Sequence, residues 1–152
     1  MNTYEQYSKL IVRSVNHIFK NLLKDESVSE ILESQSDEND PKVSVEISGS
    51  IRGEIIINIP VETLNRITKF FFSGATNRSV KKHYEEVAGE IANLITGTFA
   101  NQLQFLRQDI KLSAPEYNEE PVTTRTLYDN INLSFNSSYG GFDIDLYYRN
   151  EG

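Results

Sequence analysis

The chain has 152 residues, 38% of them hydrophobic and 11% aromatic, enough for one domain that buries roughly 68 to 70% of its unfolded surface on folding. It has no cysteine, which excludes disulfide frameworks, thiol nucleophiles, cysteine-based zinc sites and iron–sulfur clusters. Lysine and arginine total 15 against 22 acids, a net charge of −7 with a pI near 4.9, the opposite of the basic excess that nucleic acid and anionic membranes select.

The amino terminus mixes Asn2, Glu5, Gln6, Lys9 and Arg13 among its apolar residues, and no apolar run approaches the roughly 20 residues that span a bilayer. Neither export nor membrane insertion is indicated, and a cytoplasmic protein is expected. Residues 1–152 are read as a single domain, with an N-terminal helix over 1–23 and an acidic connection over 24–42.

From Tyr4 to Leu23 the apolar residues Tyr4, Tyr7, Leu10, Ile11, Val15, Ile18, Phe19 and Leu22 recur at steps of three and four, the period of an amphipathic helix. The connection that follows is polar, is broken by Pro41 and is expected to be solvated, with a short helical turn around Ile31. Val43, Val45 and Ile47 alternate with polar residues, Gly49 and Gly53 bracket SIR, and a second apolar run follows before Pro60, which predicts a β-hairpin or a pair of adjacent strands. Val61, Leu64, Ile67 and Phe71 return to helical spacing before Gly74, a natural C-terminal cap. Ser79 is a candidate N-cap for the longest helix, which runs through Val87, Ile91, Leu94, Ile95, Phe99 and Leu106. Beyond Asp109 the period falls to two, with strands around Ile110 and Leu112, then Ile131 to Phe135, then Phe142 to Tyr148. The order helix, two strands, two helices, three strands predicts an α+β domain with helices packed on a largely antiparallel sheet.

On a helical wheel the long helix places its apolar residues on one side and Glu86, Glu90, Asn93, Gly97 and Gln104 on the other. Glu90 and Asn93, three residues apart, have Cβ atoms about 5 to 6 Å from each other, and Gly97 removes a side chain one turn further along. Asn is a poor helix former and a mid-helix Gly costs about 1 kcal/mol relative to Ala. Two such costs on one exposed stripe point to a role other than helix stability, and the absent side chain at Gly97 lets a second molecule approach.

The segment EVAGEIANLITGTFANQL resembles the E-x-x-N-x-x-x-G signature of the CheC/CheX chemotaxis phosphatases, with Glu90, Asn93 and Gly97 at the signature positions. The glycine-punctuated ISGSIRGEIIINIP, the step SAPE and the closing strands are similar in place, so the likeness covers roughly residues 43 to 149. The single signature is closer to CheX, because CheC normally carries two copies. VETLNRITKFFFSG has Glu62 and Asn65 at the same spacing, but Lys69 stands where the glycine would be, and that match is read as chance.

The resemblance implies a phosphatase, acting on the aspartyl phosphate of a CheY-type response regulator. Asn93 would orient the attacking water, Glu90 would pair with a lysine of the regulator, and Gly97 and Glu86 would lie in the contact. It further implies a homodimer and no cofactor of the chain's own, the Mg²⁺ belonging to the regulator. The alternative is a non-catalytic regulator-binding or flagellar-switch-like module of the same superfamily.

His17 and His83 are far apart in sequence and are read as ordinary surface or boundary residues. No metal site is predicted, and Asp143 and Asp145 are read as the outer face of a half-exposed strand. Phe70, Phe71 and Phe72, at 100° steps, cannot all face one core. One of them is expected to cover a neighbouring element or a subunit contact.

Overall fold

The computed structural model describes residues 2–73, 77–120 and 127–150. Helix α1 (Thr3–Asn21) leads to β1 (Ser29–Ile31), the hairpin β2 (Lys42–Gly49) and β3 (Ile51–Asn58), then α2 (Val61–Phe71). A short α3 (Asn77–Val80) and a 3₁₀ turn (Lys81–His83) enter α4 (Tyr84–Gln104), followed by β4 (Ile110–Leu112), β5 (Glu116–Asn118), β6 (Asp129–Asn136) and β7 (Phe142–Asn150). Every pairing is antiparallel, in the order β1-β6-β7-β3-β2-β4, with β5 sharing the outer edge of β2. The fold is α+β, as the periodicity predicts, with α1 and α4 packed on the sheet.

Alternation decides which face of the sheet is covered. Val43, Val45 and Ile47 of β2, Ile55 and Ile57 of β3, Ile131, Leu133 and Phe135 of β6, and Phe142, Ile144 and Leu146 of β7 are all buried in one cluster with Tyr7, Ile11, Val15 and Phe19 of α1 and Ile91, Ile95, Phe99 and Leu103 of α4. Burying each such side chain contributes about 1.5–3 kcal/mol. Rings set the spacing of the layers: Phe19 stacks on Phe142 at 5.0 Å, and Tyr7 meets Tyr148 edge-on at 5.2 Å. The β2–β3 turn needs its glycine, because Gly49 has φ +112 and a Cβ there would lie 2.5 Å from the Asp109 carbonyl oxygen.

Five expectations are corrected. Ile31 lies in a strand, pairing with Ser134, because a three-residue polar edge strand is held by its neighbour and not by local propensity. The 24–42 connection is not simply solvated. Asp143, buried at 2% exposure, accepts from the Ser34 hydroxyl at 2.8 Å, the backbone N–H groups of Gln35 and Ser36, and the Ser36 hydroxyl at 2.5 Å, so the connection is clamped over the sheet there.

Asp143 is therefore not half-exposed, whereas Asp145 is, accepting from Asn58 and Asn132. Burial raises the Asp143 carboxyl, but the donors from Ser36, Gln35, Ser134 and Ser34 outweigh it and hold the group below the usual carboxylate range. Asp25 is tied down the same way, its burial outweighed by Ser27 and Ser138. Ser79 is not an N-cap but lies within α3, and α4 ends at Gln104, leaving Phe105 and Leu106 exposed. β5 is an addition to the three predicted C-terminal strands. The Gly74 cap falls outside the described residues.

Candidate functional site

Helix α4 is held from three sides. From α1, the Gln102 amide donates to the Ser14 hydroxyl at 2.9 Å, and just beyond the end of α4 the Tyr7 hydroxyl donates to Gln108 at 2.8 Å. From α2, the Asn65 amide donates to the Tyr84 hydroxyl at 2.6 Å. From the sheet edge, Pro115 comes up against Gly89, where a Cβ would lie 3.4 Å from the proline Cγ. A side chain on the free face of such a helix is carried on a rigid support.

That free face carries the residues the sequence singles out. Glu86, Glu90, Asn93 and Gln104 are exposed, and Gly97 is half-exposed on the same stripe. Among the described residues, nothing lies within 4 Å of the position a Cβ would take at Gly97. Packing among those residues therefore does not require the glycine, and open space stands over it. Neither the Glu90 carboxylate nor the Asn93 amide has a hydrogen-bond partner among the described residues. The hydroxyls of Thr96 and Thr98, on either side of Gly97, donate back to Ala92 and Leu94 at 2.7 and 2.8 Å. Their protons are occupied within the helix, whereas Glu90 and Asn93 are offered outward.

Two shallow grooves border the helix. One, of about 260 Å³, is lined by Phe71, Phe72, Glu86, Val87 and Glu90, and the other, of about 220 Å³, by His17, Ile18, Asn21, Leu22 and Leu94. A larger concavity of about 460 Å³ lies on the far face of the sheet among Glu46, Ser48, Arg52 and Lys111, away from the stripe. Glu62 and Asn65 sit on α2, and the Asn65 amide is taken up by Tyr84, a structural use that fits the reading of that spacing as chance.

The three consecutive phenylalanines go to different neighbours. Phe70 meets Tyr139 edge-on at 5.9 Å, Phe71 is partly buried against the core, and Phe72 stacks on His83 at 3.8 Å and 11°. No motif marks Phe71 and Phe72 as groove residues; the run of rings is the one signal. His83 Nδ1 lies 3.4 Å from Glu86, and His17 Nδ1 lies 3.1 Å from the Asn21 amide. Among the described residues no group of three or more His, Asp or Glu is placed to hold a metal, and no helix is long and apolar enough to cross a membrane.

The sequence matches the family model described as chemotaxis phosphatase CheX over residues 42–130, more than half of the chain and including the whole of α4. The chain belongs to the CheX family. Among solved structures, the CheX of a CheX–CheY–BeF3–Mg²⁺ complex from Borrelia burgdorferi is 17% identical, with a TM-score of 0.80 over 94% of this chain and 97% of that one. CheX from Desulfovibrio desulfuricans is 14% identical, with a TM-score of 0.78 over 95% and 99%. FliY from Thermotoga maritima is 17% identical, with a TM-score of 0.63 over 93% and 85%. At these identities the structures establish a shared fold. A comparison with curated proteins finds no match.

Proposed function

We propose that this chain hydrolyses the aspartyl phosphate of a CheY-type response regulator, working as a homodimer in the cytoplasm. The observation that carries the reading is the exposed Glu90 and Asn93 on a braced helix, with open space over Gly97 one turn away. Family membership supports it, as does the complex of a similar CheX with CheY, BeF3 and Mg²⁺.

An acyl phosphate is already labile, and its hydrolysis asks for an in-line water and neutralised charge more than for covalent chemistry. The regulator supplies Mg²⁺ and a lysine. What α4 adds is the Asn93 carboxamide, whose oxygen accepts from the attacking water while its NH₂ donates to a neighbouring oxygen. Being neutral, it approaches the phosphoryl group without repulsion. A carboxylate in that place would repel it, so Glu90 serves as a docking group for the regulator's lysine and not as a general base. Gly97 allows the two surfaces to close, and Glu86 extends the acidic contact along the helix.

The test is to mix the purified protein with phosphorylated CheY-type regulators and follow phosphate release. Release faster than the regulator's own decay is the expected result, and decay at the unassisted rate for every regulator that binds would defeat the proposal.

A further inference from the structure

We infer that the groove between the end of α2 and the start of α4 is a slot for a single apolar side chain of the regulator, carried beside a lysine or arginine. This rests on the function proposed above and adds a second anchor to it.

The walls of the slot are the rings of Phe71 and Phe72, and Val87, 3% exposed, is its floor. Both rings have aromatic neighbours, Phe72 the His83 ring stacked on it at 3.8 Å and Phe71 the Phe70 ring edge-on at 5.7 Å. Walls already fixed in the free protein lose little freedom when a guest enters. Size narrows the guest. About 260 Å³ is below the roughly 300–1,000 Å³ of small-molecule sites, but accommodates one leucine, methionine or phenylalanine side chain.

Charge narrows it again. Glu86 and Glu90 stand four residues apart on the lip, a like-charge spacing that weakens a helix. Among the described residues only His83 pairs with either lip carboxylate. An apolar side chain with a cation next to it satisfies both floor and lip. Because Glu90 belongs both to the lip and to the Asn93 stripe, the slot and the signature form one continuous surface. The slot is remote from the reacting atoms in chemistry if not in space, so its contribution is the same before and at the transition state, and it sets the regulator concentration needed for half-saturation.

Phe72→Ala is measured by titrating phosphorylated regulator, with thermal melting to confirm folding. It is expected to raise the half-saturating concentration about tenfold while changing the saturated rate by less than about twofold. An unchanged half-saturation in a folded Phe72→Ala overturns the slot, as does a fall confined to the saturated rate. If Phe72→Ala instead loses self-association by light scattering and keeps its half-saturation, the slot takes a second copy of this chain and the inference is wrong.

A methyl-labelled Val87 titrated with the beryllofluoride-loaded regulator separates this inference from the function. A shifted Val87 signal without any dephosphorylation by the wild-type protein leaves the slot standing and defeats the phosphatase reading. An unshifted signal alongside active dephosphorylation does the reverse.

Discussion

Replacing Gly97 with leucine sets helix stability against partner access, and the two are expected to move in opposite directions. In a helix interior Gly is about 1 kcal/mol less favourable than Ala, and Leu is close to Ala, so the exchange should stabilise α4 by about 0.8 kcal/mol. No clash with the described residues offsets this gain, because none of them lies within 4 Å of the Cβ position at residue 97. For a domain of this size the melting temperature should rise by roughly 2–3 °C. A helical side chain leans toward the N-terminus and covers the turn before it, so the leucine would lie over Asn93. A loss of even 1.4 kcal/mol in the contact is a tenfold loss of affinity, and tenfold or greater weakening is the expected outcome. The assay pairs thermal melting with dephosphorylation time courses over a range of regulator concentrations, with Gly97→Ala as the smaller step. A folded Gly97→Leu that dephosphorylates as the wild type does would remove Gly97 from the contact. A lowered melting temperature would show that the space over Gly97 is not free.

Asp143→Ala strips the acceptor from Ser34, Gln35 and Ser36 and should cost roughly 2–3 kcal/mol, a fall of roughly 4–12 °C in melting temperature, with the saturated dephosphorylation rate retained. Asp143 and Asp25 have folded-state carboxyls below their ordinary values, so their stabilisation is present above about pH 4 and lost as the pH falls through the folded values. Melting curves taken down to about pH 2.5 should show a shallower acid loss for Asp143→Ala than for the wild type. Asn65→Ala breaks the α2–α4 bond to Tyr84 and should cost about 1 kcal/mol in chemical denaturation without lowering the saturated rate. A large rate loss would make Glu62 and Asn65 a second site after all. Light scattering at micromolar concentration should give the mass of a dimer, and a monomer would refute the homodimer while leaving the phosphatase reading intact.

The elements legible in the sequence are those whose own residues carry the period. α1, α2 and α4 have unbroken 3.6-residue stripes, β2, β6 and β7 alternate through much of their eight or nine residues, and β3 carries the continuous apolar run Ile55, Ile56 and Ile57. β1 and β5 are three residues long, too short to show a period, and exist because β6 and β2 offer them open edges. The 24–42 segment reads as solvated because its composition is acidic and small. Its order comes from Asp143, more than 100 residues away, which no local pattern reveals. Ser79 has the right chemistry for a cap, but the chain is already helical from Asn77.

The site divides along the same line. Glu90, Asn93 and Gly97 lie on one helix and are visible as a stripe with two unfavourable helix residues on it. The Phe71–Phe72 wall is formed by the end of a different helix, so it becomes visible only once α2 and α4 are packed together. The Asn65 amide likewise carries the spacing of a signature residue, and its use becomes clear only when Tyr84 is seen to receive it.

Dephosphorylation of a CheY-type regulator, titrated to saturation with the wild type, Asn93→Ala and Glu90→Ala, tests whether Asn93 orients the nucleophile while Glu90 holds the partner. Loss of one preorganised polar contact at a reacting centre costs about 10² to 10³ in rate, so Asn93→Ala should lose that much of the saturated rate while its half-saturating concentration stays near that of the wild type. Glu90→Ala should raise the half-saturating concentration first, because it leaves the regulator's lysine uncompensated in the contact. A saturated rate in Asn93→Ala equal to that of the wild type would contradict the account.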